Sequence, residues 1–549
     1  MSGLDLARKG LRSNRSAAGA DRLALTPGVP TSEAFVRPVL PLWLALVAAV
    51  GAGIAFDAGF PDKGWWPLTL LGTGIVLVSL IGRRWGGALL VGLVAGASFW
   101  GTHIFWLTLY LGPLPWIGLT GFEAVYFALG ALLIALVYRR ADRTWPTRAG
   151  RLVILPLVVA GLWTLREGLN AIFPYGGFSW GRVAMSQSES PYTDLVAWVG
   201  MSGLSFVLVW LVAFLIQLVR ENGLPATTRM LTAGIAVAAT LAVPAWPTAT
   251  EGTSRIAAVQ GNSDAGLLAV NAPGDILSDH VSATLPLASE KDLDMVVWPE
   301  NASDLDPARS SLAAETLDEV STLLGDIPIV AGTIQARGDE VFNTSLLWQN
   351  GGIADHYDKR HPVPFAEWMP NREFFRPFAP DLIDMVSRDY SFGSTDLTFD
   401  IDGIIAGISI CFDITDDAVM RAMSAEGAQV VLAQTNNADF GQTDENLQQL
   451  AIARLRAVEF GRSVVNISTV GTSEIIAPDG SRITGIPAYE PGTMVADVPL
   501  ATVQTPAAVL GFQIEWLVAG FGLIGLAVAL TSRGATTKAP PRPKAERRS

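Results

Sequence analysis

The chemistry in this sequence is most concentrated around Cys411, the only cysteine among the 549 residues. Cys411 directly follows the apolar run Ile404–Ile410, which predicts a buried strand, and a segment with helical spacing begins at Asp416. A cysteine at a strand-to-helix turn is held rigidly beside backbone N–H groups that can bind a developing oxyanion. The pattern is typical of a nucleophile, although many lone cysteines are small hydrophobic core residues.

Two further strand ends carry groups that a cysteine nucleophile requires. The segment Met295–Trp298 predicts a strand that runs into Glu300, and Lys359 precedes a proline-stiffened loop that contains Glu367. A carboxylate can take the thiol proton, and a lysine ammonium can hold the oxyanion. Each group alone has a simpler interpretation, since Glu300 could be a solvated strand end and Lys359 one charge in a polar run. Together with Cys411, in this order, they predict a catalytic set.

The composition combines a membrane protein with an acidic polar region. Half of the residues are hydrophobic, and the net charge is −13 at pH 7. The acidic side chains concentrate between residues 251 and 508, whereas the loops and tails elsewhere are basic. An acidic domain argues against a nucleic-acid partner. With one cysteine, and four histidines that lack ligand spacing, we expect no intrachain disulfide, no metal site and no cofactor.

Eight apolar runs predict eight transmembrane helices. Most are close to the roughly 20 residues that cross a bilayer, although the second is short and the seventh only just long enough. No cleavage signal precedes them, so the first run is interpreted as an uncleaved span. The runs are Val39–Phe56, Pro67–Ile81, Gly87–Leu109, Ile117–Val137, Leu152–Leu169, Leu195–Val219, Met230–Ala245 and Val509–Leu530.

The distribution of lysine and arginine predicts the orientation of these spans. Every loop on the side of the basic N-terminal tail is also basic, which places both termini in the cytoplasm. The predicted layout is a disordered cytoplasmic tail at 1–37, a seven-helix membrane domain at 38–246, an extracytoplasmic domain at 247–508, an eighth span at 509–531 and a cytoplasmic tail at 532–549.

The extracytoplasmic domain alternates strand and helix patterns, which predicts an α/β fold with helices covering the sheets. The predicted helices are Ala308–Leu324, Asp416–Ala425 and Asn446–Phe460. The predicted strands are Arg255–Gln260, Met295–Trp298, Ile327–Ala331, Thr344–Trp348, Ile404–Ile410, Val430–Ala433, Ser463–Ile467 and Ser473–Ala477.

The ordered set Glu300, Lys359 and Cys411 resembles the Glu-Lys-Cys triad of the nitrilase superfamily. With the eight spans that bracket it, the chain resembles the apolipoprotein N-acyltransferases, which complete bacterial lipoprotein maturation. The resemblance covers about residues 39 to 531 and includes the segments Phe173–Gly176, Trp298–Glu300, Pro364–Glu367, Ala453–Ala457 and Pro478–Gly480.

The resemblance implies a multi-pass protein of the bacterial cell membrane whose outer domain is a nitrilase-like αββα sandwich. It also implies a phospholipid acyl donor, a diacylated apolipoprotein acceptor and an acyl thioester on the nucleophile. The base would be Glu300, and Lys359 with the backbone N–H of Phe412 would stabilise the oxyanion. Glu367 would be a further active-site carboxylate, although the sequence also allows a loop cap. Asp413 and Trp298 would support the site or bind substrate.

The sequence departs from the family pattern at three places. Phe412-Asp413 stands where the family usually has Tyr-Glu, and Gln449 stands where a histidine is expected. The family loop Asn-Asp-x-Trp-Phe-Gly occurs here as residues 436–441, with Asn437 at the aspartate position and without the tryptophan. We expect these changes to alter the acyl and acceptor pockets.

Two other functions use the same features. A membrane-tethered amidase or nitrilase would act on a small soluble substrate with the same triad, and it would release ammonia without any need for lipid. A catalytically silent membrane scaffold would hold another envelope enzyme, and the altered loops are its only support. Eight spans argue against the first alternative, and the intact triad argues against the second.

The predicted orientation can be tested with a cysteine at Asp339, in a polar part of the outer domain. Asp339→Cys in a Cys411→Ala background should react with an impermeant thiol reagent in intact cells, because charge placement puts this domain outside. Labelling only after lysis would overturn the orientation.

Overall fold

The computed structural model describes residues 36–266, 269–386 and 388–532, so nearly all of the two predicted tails lies outside the described residues. The α-helices in these ranges are α1 Leu42–Asp57, α2 Pro67–Leu80, α3 Trp85–His103, α4 Leu107–Leu111, α5 Pro113–Thr144, α6 Leu155–Asn170, α7 Val196–Arg220, α8 Ala226–Leu241, α9 Asp275–Thr284, α10 Ser311–Leu323, α11 Arg372–Phe375, α12 Pro380–Met385, α13 Asp417–Ala425, α14 Glu445–Phe460 and α15 Pro506–Thr531.

Each of the eight apolar runs contains an apolar helix. Within the described ranges, α3, α5, α6 with the turn before it, α7 with the turn before it, and α15 are long and apolar enough to cross a membrane. The apolar helices α1, α2 and α8 are shorter, at 16, 14 and 16 residues. The membrane character predicted from the sequence is therefore confirmed, while the count of eight spans stays a prediction.

The outer region is built from strands between α8 and α15. They are β1 Thr253–Gln260, β2 Met295–Val297, β3 Ile329–Arg337, β4 Glu340–Gln349, β5 Gly352–Asp358, β6 Thr398–Ile401, β7 Ile404–Ile410, β8 Val430–Thr435, β9 Ser463–Ser468, β10 Ser473–Ile476, β11 Arg482–Ile486 and β12 Gly492–Pro499.

These strands form two six-stranded sheets. The first has the order β12-β1-β2-β3-β4-β5 and the second the order β11-β10-β9-β8-β7-β6. The centre of each sheet is parallel, through β1-β2-β3 and β7-β8-β9, and the flanking pairs are antiparallel. Parallel central strands bring their carboxyl ends to one edge, which is where the nucleophile and the base were predicted.

Side-chain alternation in β1 shows how the layers pack. Ile256 and Ala258 join the core that includes the second sheet, whereas Ala257 and Val259 join a separate core with α9 and α10. Helices α13 and α14 contact the second sheet. Because successive strand residues point to opposite faces, one strand serves both cores. The arrangement is the αββα sandwich that the resemblance implied.

The strand predictions were incomplete at the sheet edges. β5, β6, β11 and β12 were not predicted, and neither was α9. β5, β6, β11 and β12 are outermost in their sheets, so several of their residues are solvated and carry no apolar run. The eight predicted strands all exist, with ends that differ by a few residues.

A buried network of charges joins the outer domain to the membrane helices. Arg182, in the segment between α6 and α7, lies 2.8 Å from Asp417, and Arg456 of α14 lies 2.6 Å from the same carboxylate. Arg456 also pairs with Glu459 at 2.5 Å, and Glu459 accepts a 2.9 Å hydrogen bond from the backbone N–H of Met201. The network connects α13, which begins at Asp417, to the non-helical residue Gly200 inside α7.

Replacing Arg456 should destabilise the whole chain. Its side chain is fully buried and also donates to the carbonyls of Ile414 and Thr415, at 2.9 Å each. Arg456→Met leaves Glu459 without its cation and Asp417 paired with Arg182 alone, and removing one partner of a buried pair costs about 3–5 kcal/mol. We expect a lower melting temperature in detergent.

The matched control is Arg376→Met, because Arg376 is an exposed arginine that pairs with the exposed Asp384. Exposed pairs contribute about 1 kcal/mol or less, so this variant should melt like the parent chain. Equal melting of the Arg456 and Arg376 variants would contradict the role given to the network.

Candidate active site

The three residues of the predicted triad meet at strand ends from both sheets. Glu300 follows β2, Lys359 follows β5 and Cys411 follows β7. The Nζ atom of Lys359 lies 3.6 Å from Oε1 of Glu300, and Cys411 is close enough to both groups for their charges to shift its pKa. Residues separated by more than one hundred positions in the chain therefore form one cluster.

Lys359 is a buried cation held between two carboxylates. Its side chain is 2% exposed, and its Nζ lies 2.9 Å from Oε2 of Glu367 as well as near Glu300. Burial alone would lower the pKa of Lys359, but the charges of Glu367 and Glu300 outweigh it and raise the pKa well above the ordinary value. The site therefore contains a permanent ammonium group.

Asn343, on β4, connects the two carboxylates. Its Nδ2 donates to Oε1 of Glu300 at 2.7 Å and to Oε1 of Glu367 at 2.8 Å. Sequence reasoning missed Asn343; the signal was a polar residue inside a strand that is otherwise buried. Glu367 also accepts a 2.6 Å hydrogen bond from the backbone N–H of Val363, so it caps its loop as well as contacting Asn343 and Lys359.

Glu300 is arranged as a base that works near neutral pH. Burial raises the pKa of Glu300 to about 7, and the charge of Lys359 limits that rise. Its Oε2 has no hydrogen-bond partner among the described residues, and the interaction with Cys411 contributes to its pKa. A carboxylate with one free oxygen next to a thiol, and a pKa near the working pH, is suited to proton transfer.

The backbone at Cys411 is held in the left-handed region, with a φ of 51°. A non-glycine residue in this region stores about 1–3 kcal/mol, so the surrounding contacts must fix it. Asp413 provides two of them, because its Oδ2 accepts hydrogen bonds from the Ile410 N–H at 3.1 Å and the Tyr357 hydroxyl at 2.8 Å. Asp413 therefore stabilises the turn at Cys411.

The Cys411 thiol is protonated in the resting site. Burial raises the pKa of Cys411 well above its ordinary value, the charge of Glu300 raises it further, and Lys359 opposes both. Only the thiolate is strongly nucleophilic, so a reaction at Cys411 requires transfer of the proton to a neighbouring base. Glu300 is that neighbour.

The ring of Phe412, the residue after Cys411, packs against aromatic side chains of the membrane domain. This ring is nearly parallel to those of Phe178 and Trp180, with centroids 6.1 and 6.2 Å away. Both partners belong to the aromatic loop between α6 and α7. In the same loop, the Tyr175 hydroxyl accepts a 2.6 Å hydrogen bond from Asn371 of the outer domain. The residue after Cys411 therefore packs against an aromatic surface of the membrane domain.

Trp298 supports its strand from within the core. Its side chain is completely buried between the first sheet and the helices that cover it, and its Nε1 donates to Thr284 at 3.1 Å. Its carbonyl accepts a 2.6 Å hydrogen bond from Gln434 of the second sheet. Trp298 is therefore held within the core, and the expectation that it supports the site or binds substrate stays a prediction.

Removing the buried ammonium should suppress the reactivity of the thiol. Lys359→Met leaves Glu300 and Glu367 uncompensated, which raises the pKa of Cys411 because the cation that favours the thiolate is gone. We expect alkylation of Cys411 by iodoacetamide to need a higher pH than in the parent chain. Lys291→Met, at an exposed lysine, is the control, and a Lys359 variant with the parent profile would contradict this assignment.

Comparisons with known proteins match two families along the chain. Residues 52–214 match the apolipoprotein N-acyltransferase N-terminal domain family, and residues 255–507 match the carbon-nitrogen hydrolase family. An amidase from Nesterenkonia sp. matches 47% of this chain and 94% of its own, with 20% identity and a TM-score of 0.35.

Full-length relatives extend the match across both domains. An apolipoprotein N-acyltransferase of Pseudomonas aeruginosa is 26% identical over 517 residues, which cover 90% of this chain and 97% of that protein. An apolipoprotein N-acyltransferase of Mycolicibacterium smegmatis is 30% identical over 532 residues, which cover 91% of this chain and 87% of that protein. The chain therefore belongs to the apolipoprotein N-acyltransferase family.

Proposed function

We propose that this chain transfers a fatty acyl group from a membrane phospholipid to the α-amine of the diacylglyceryl-cysteine that begins an apolipoprotein. The observation that carries the proposal is the position of Cys411. It lies close enough to the buried Glu300–Lys359 pair for both charges to act on it, and the next residue, Phe412, packs against aromatic rings of the membrane domain. The relatives named for this activity support the same reaction.

The first half-reaction loads the enzyme. Glu300 accepts the thiol proton, and the sulfur of Cys411 attacks an ester carbonyl carbon of the phospholipid. The negative charge that develops on the carbonyl oxygen is stabilised by the ammonium of Lys359 and by the backbone N–H of Phe412. As the C–S bond forms, the ester C–O bond breaks, and the lysophospholipid leaves as an alcohol with the proton that Glu300 returns.

The second half-reaction transfers the acyl group from Cys411 to the acceptor. The free α-amine of the acceptor attacks the thioester carbon, with Glu300 taking a proton from nitrogen. The C–N bond forms while the C–S bond breaks, and the proton returns to the sulfur of Cys411. The product is an amide on the lipidated cysteine and an unmodified enzyme, so no cofactor or other co-reactant is needed.

The membrane helices have a physical purpose in this reaction. Moving an acyl chain out of the bilayer costs about 0.8 kcal/mol for each methylene, so a soluble enzyme would have to extract both substrates against a large penalty. We place all eight apolar helices across the bacterial cell membrane, both termini in the cytoplasm and the catalytic domain outside, as the basic loops favour. Exported lipoproteins would then reach Cys411 from the outer leaflet.

The two alternative functions fit the contacts less well. A soluble amide would gain nothing from the stacking of Phe412 on Phe178 and Trp180. A scaffold would have no use for a buried lysine that two carboxylates must neutralise, since buried charges are retained at a cost in stability. Acyl transfer uses both features.

Incubation of the purified chain with phospholipid vesicles and a synthetic diacylated lipopeptide tests the proposal directly. The mass of the lipopeptide should increase by one acyl chain, at its α-amine. Glu300→Gln should slow this transfer by about 10²–10⁴-fold, because the amide cannot accept the thiol proton.

The matched control is Glu315→Gln, at an exposed position on α10, which should retain the parent rate. Unchanged lipopeptide mass, together with ammonia release from a small amide in the absence of lipid, would replace the proposal with the amidase function. Parent-like transfer by the Glu300 variant would refute the assignment of the base.

A further inference from the structure

A fourth side chain reaches the nucleophile from an element outside the triad. Gln449 lies on α14, is 2% exposed, and its Nε2 donates to the sulfur of Cys411 at 3.6 Å. This distance is within the longer range of hydrogen bonds to sulfur. Gln449 is uncharged, so this contact differs in kind from those of Glu300 and Lys359.

The orientation of the Gln449 amide is fixed by Asn437. The Nδ2 of Asn437 donates to Oε1 of Gln449 at 2.9 Å and to Oε2 of Glu445 at 2.8 Å. The Oδ1 of Asn437 accepts a 2.6 Å hydrogen bond from the hydroxyl of Ser468. Rotation of the Gln449 amide would place two N–H groups against each other and a carbonyl against sulfur, so the N–H must face Cys411.

Asn437 and Gln449 are hydrogen-bonded partners in the fold, although 12 positions separate them in the chain. The sequence alone does not show this contact.

We propose that Gln449 is a further catalytic residue, which donates an N–H to the Cys411 thiolate before attack, and that Asn437 is the positioning residue that keeps this N–H directed at sulfur. The inference deepens the proposed function and rests on it for the identity of the reaction. An amide donor stabilises the thiolate without adding a titrating group, and it does not compete with Glu300 for the proton.

Alkylation of Cys411 by iodoacetamide tests the proposal without any lipid, using the full-length chain in detergent over a pH series. Gln449→Met keeps the volume of the side chain and removes the donor. We expect its alkylation rate at neutral pH to fall about tenfold, and its profile to shift to higher pH, because a hydrogen bond to a charged group is lost.

A second variant keeps the test decisive if the methionine variant does not fold. Gln449→Glu has the same size and can still accept from Asn437, but it presents oxygen to sulfur, so we expect a larger shift to higher pH. Asn437→Ala should shift the profile less, in the same direction. Gln349→Met removes a glutamine that bonds to Asp402 at the surface, and it should keep the parent profile.

Folded Gln449 variants with the parent alkylation profile would overturn the inference, even if the chain acylates lipopeptides. A shifted profile in a chain that transfers no acyl group would support the contact with the thiolate while refuting the proposed function. The two claims therefore fail through different measurements.

Discussion

The buried ammonium of Lys359 is the interaction on which the rest of this site depends. A lysine with 2% exposure is stable only if opposite charges replace the lost water, and Glu300 and Glu367 provide them. Asn343 then donates to one oxygen of each carboxylate, which separates two like charges at a fixed spacing. Three strands and one loop must keep their relative positions for this cluster to exist.

The same cluster determines the chemistry of the nucleophile. The two carboxylates disfavour a thiolate on Cys411 and the ammonium favours it. In the proposed reaction, the thiol proton moves to Glu300. The left-handed backbone at Cys411 directs the sulfur toward this cluster, and Asp413 and Arg456 anchor the turn that follows. The protonation of Cys411 therefore depends on the opposing charges of Lys359 and the two carboxylates. Hydrogen bonds hold the turn that carries Cys411 in place.

The membrane domain contacts this turn directly in two ways. The charged network through Arg182 and Asp417 fixes the start of α13, and the rings of Phe178 and Trp180 pack against Phe412. One contact is polar and rigid, while the other is apolar and presents a surface suited to acyl chains. In the proposed reaction, the helices therefore do more than anchor the enzyme, since they complete the wall beside the nucleophile.

Much of this could be predicted from local patterns, and the rest depends on contacts across the fold. β7 was predicted with the bounds that the structure has, and Cys411 and Glu300 were recognisable because each follows a predicted strand. Lys359 was recognisable because it precedes a proline-stiffened loop. Asn343 lies between the two carboxylates because of the register in which β4 pairs with its neighbours. No local sequence pattern predicts that register.

Roles that depend on distant partners are also hard to predict from a local pattern. Trp298 precedes Glu300 by two positions, but strand alternation turns its side chain into the opposite core. Gln449 was recognised only as a departure from a family pattern, because its partner Cys411 is 38 positions away. The edge strands carried too few apolar residues to be distinguished from loops.

The most direct test of the central claim is the mass of the Cys411 peptide after incubation of the purified chain with phospholipid and no acceptor. We predict an increase by one acyl chain, which hydroxylamine at neutral pH removes because thioesters are labile to it. Addition of a diacylated lipopeptide should transfer the acyl group to its α-amine, and Cys411→Ala should carry no adduct. Transfer to the lipopeptide by the Cys411→Ala chain would contradict covalent catalysis and leave Cys411 as a buried structural residue.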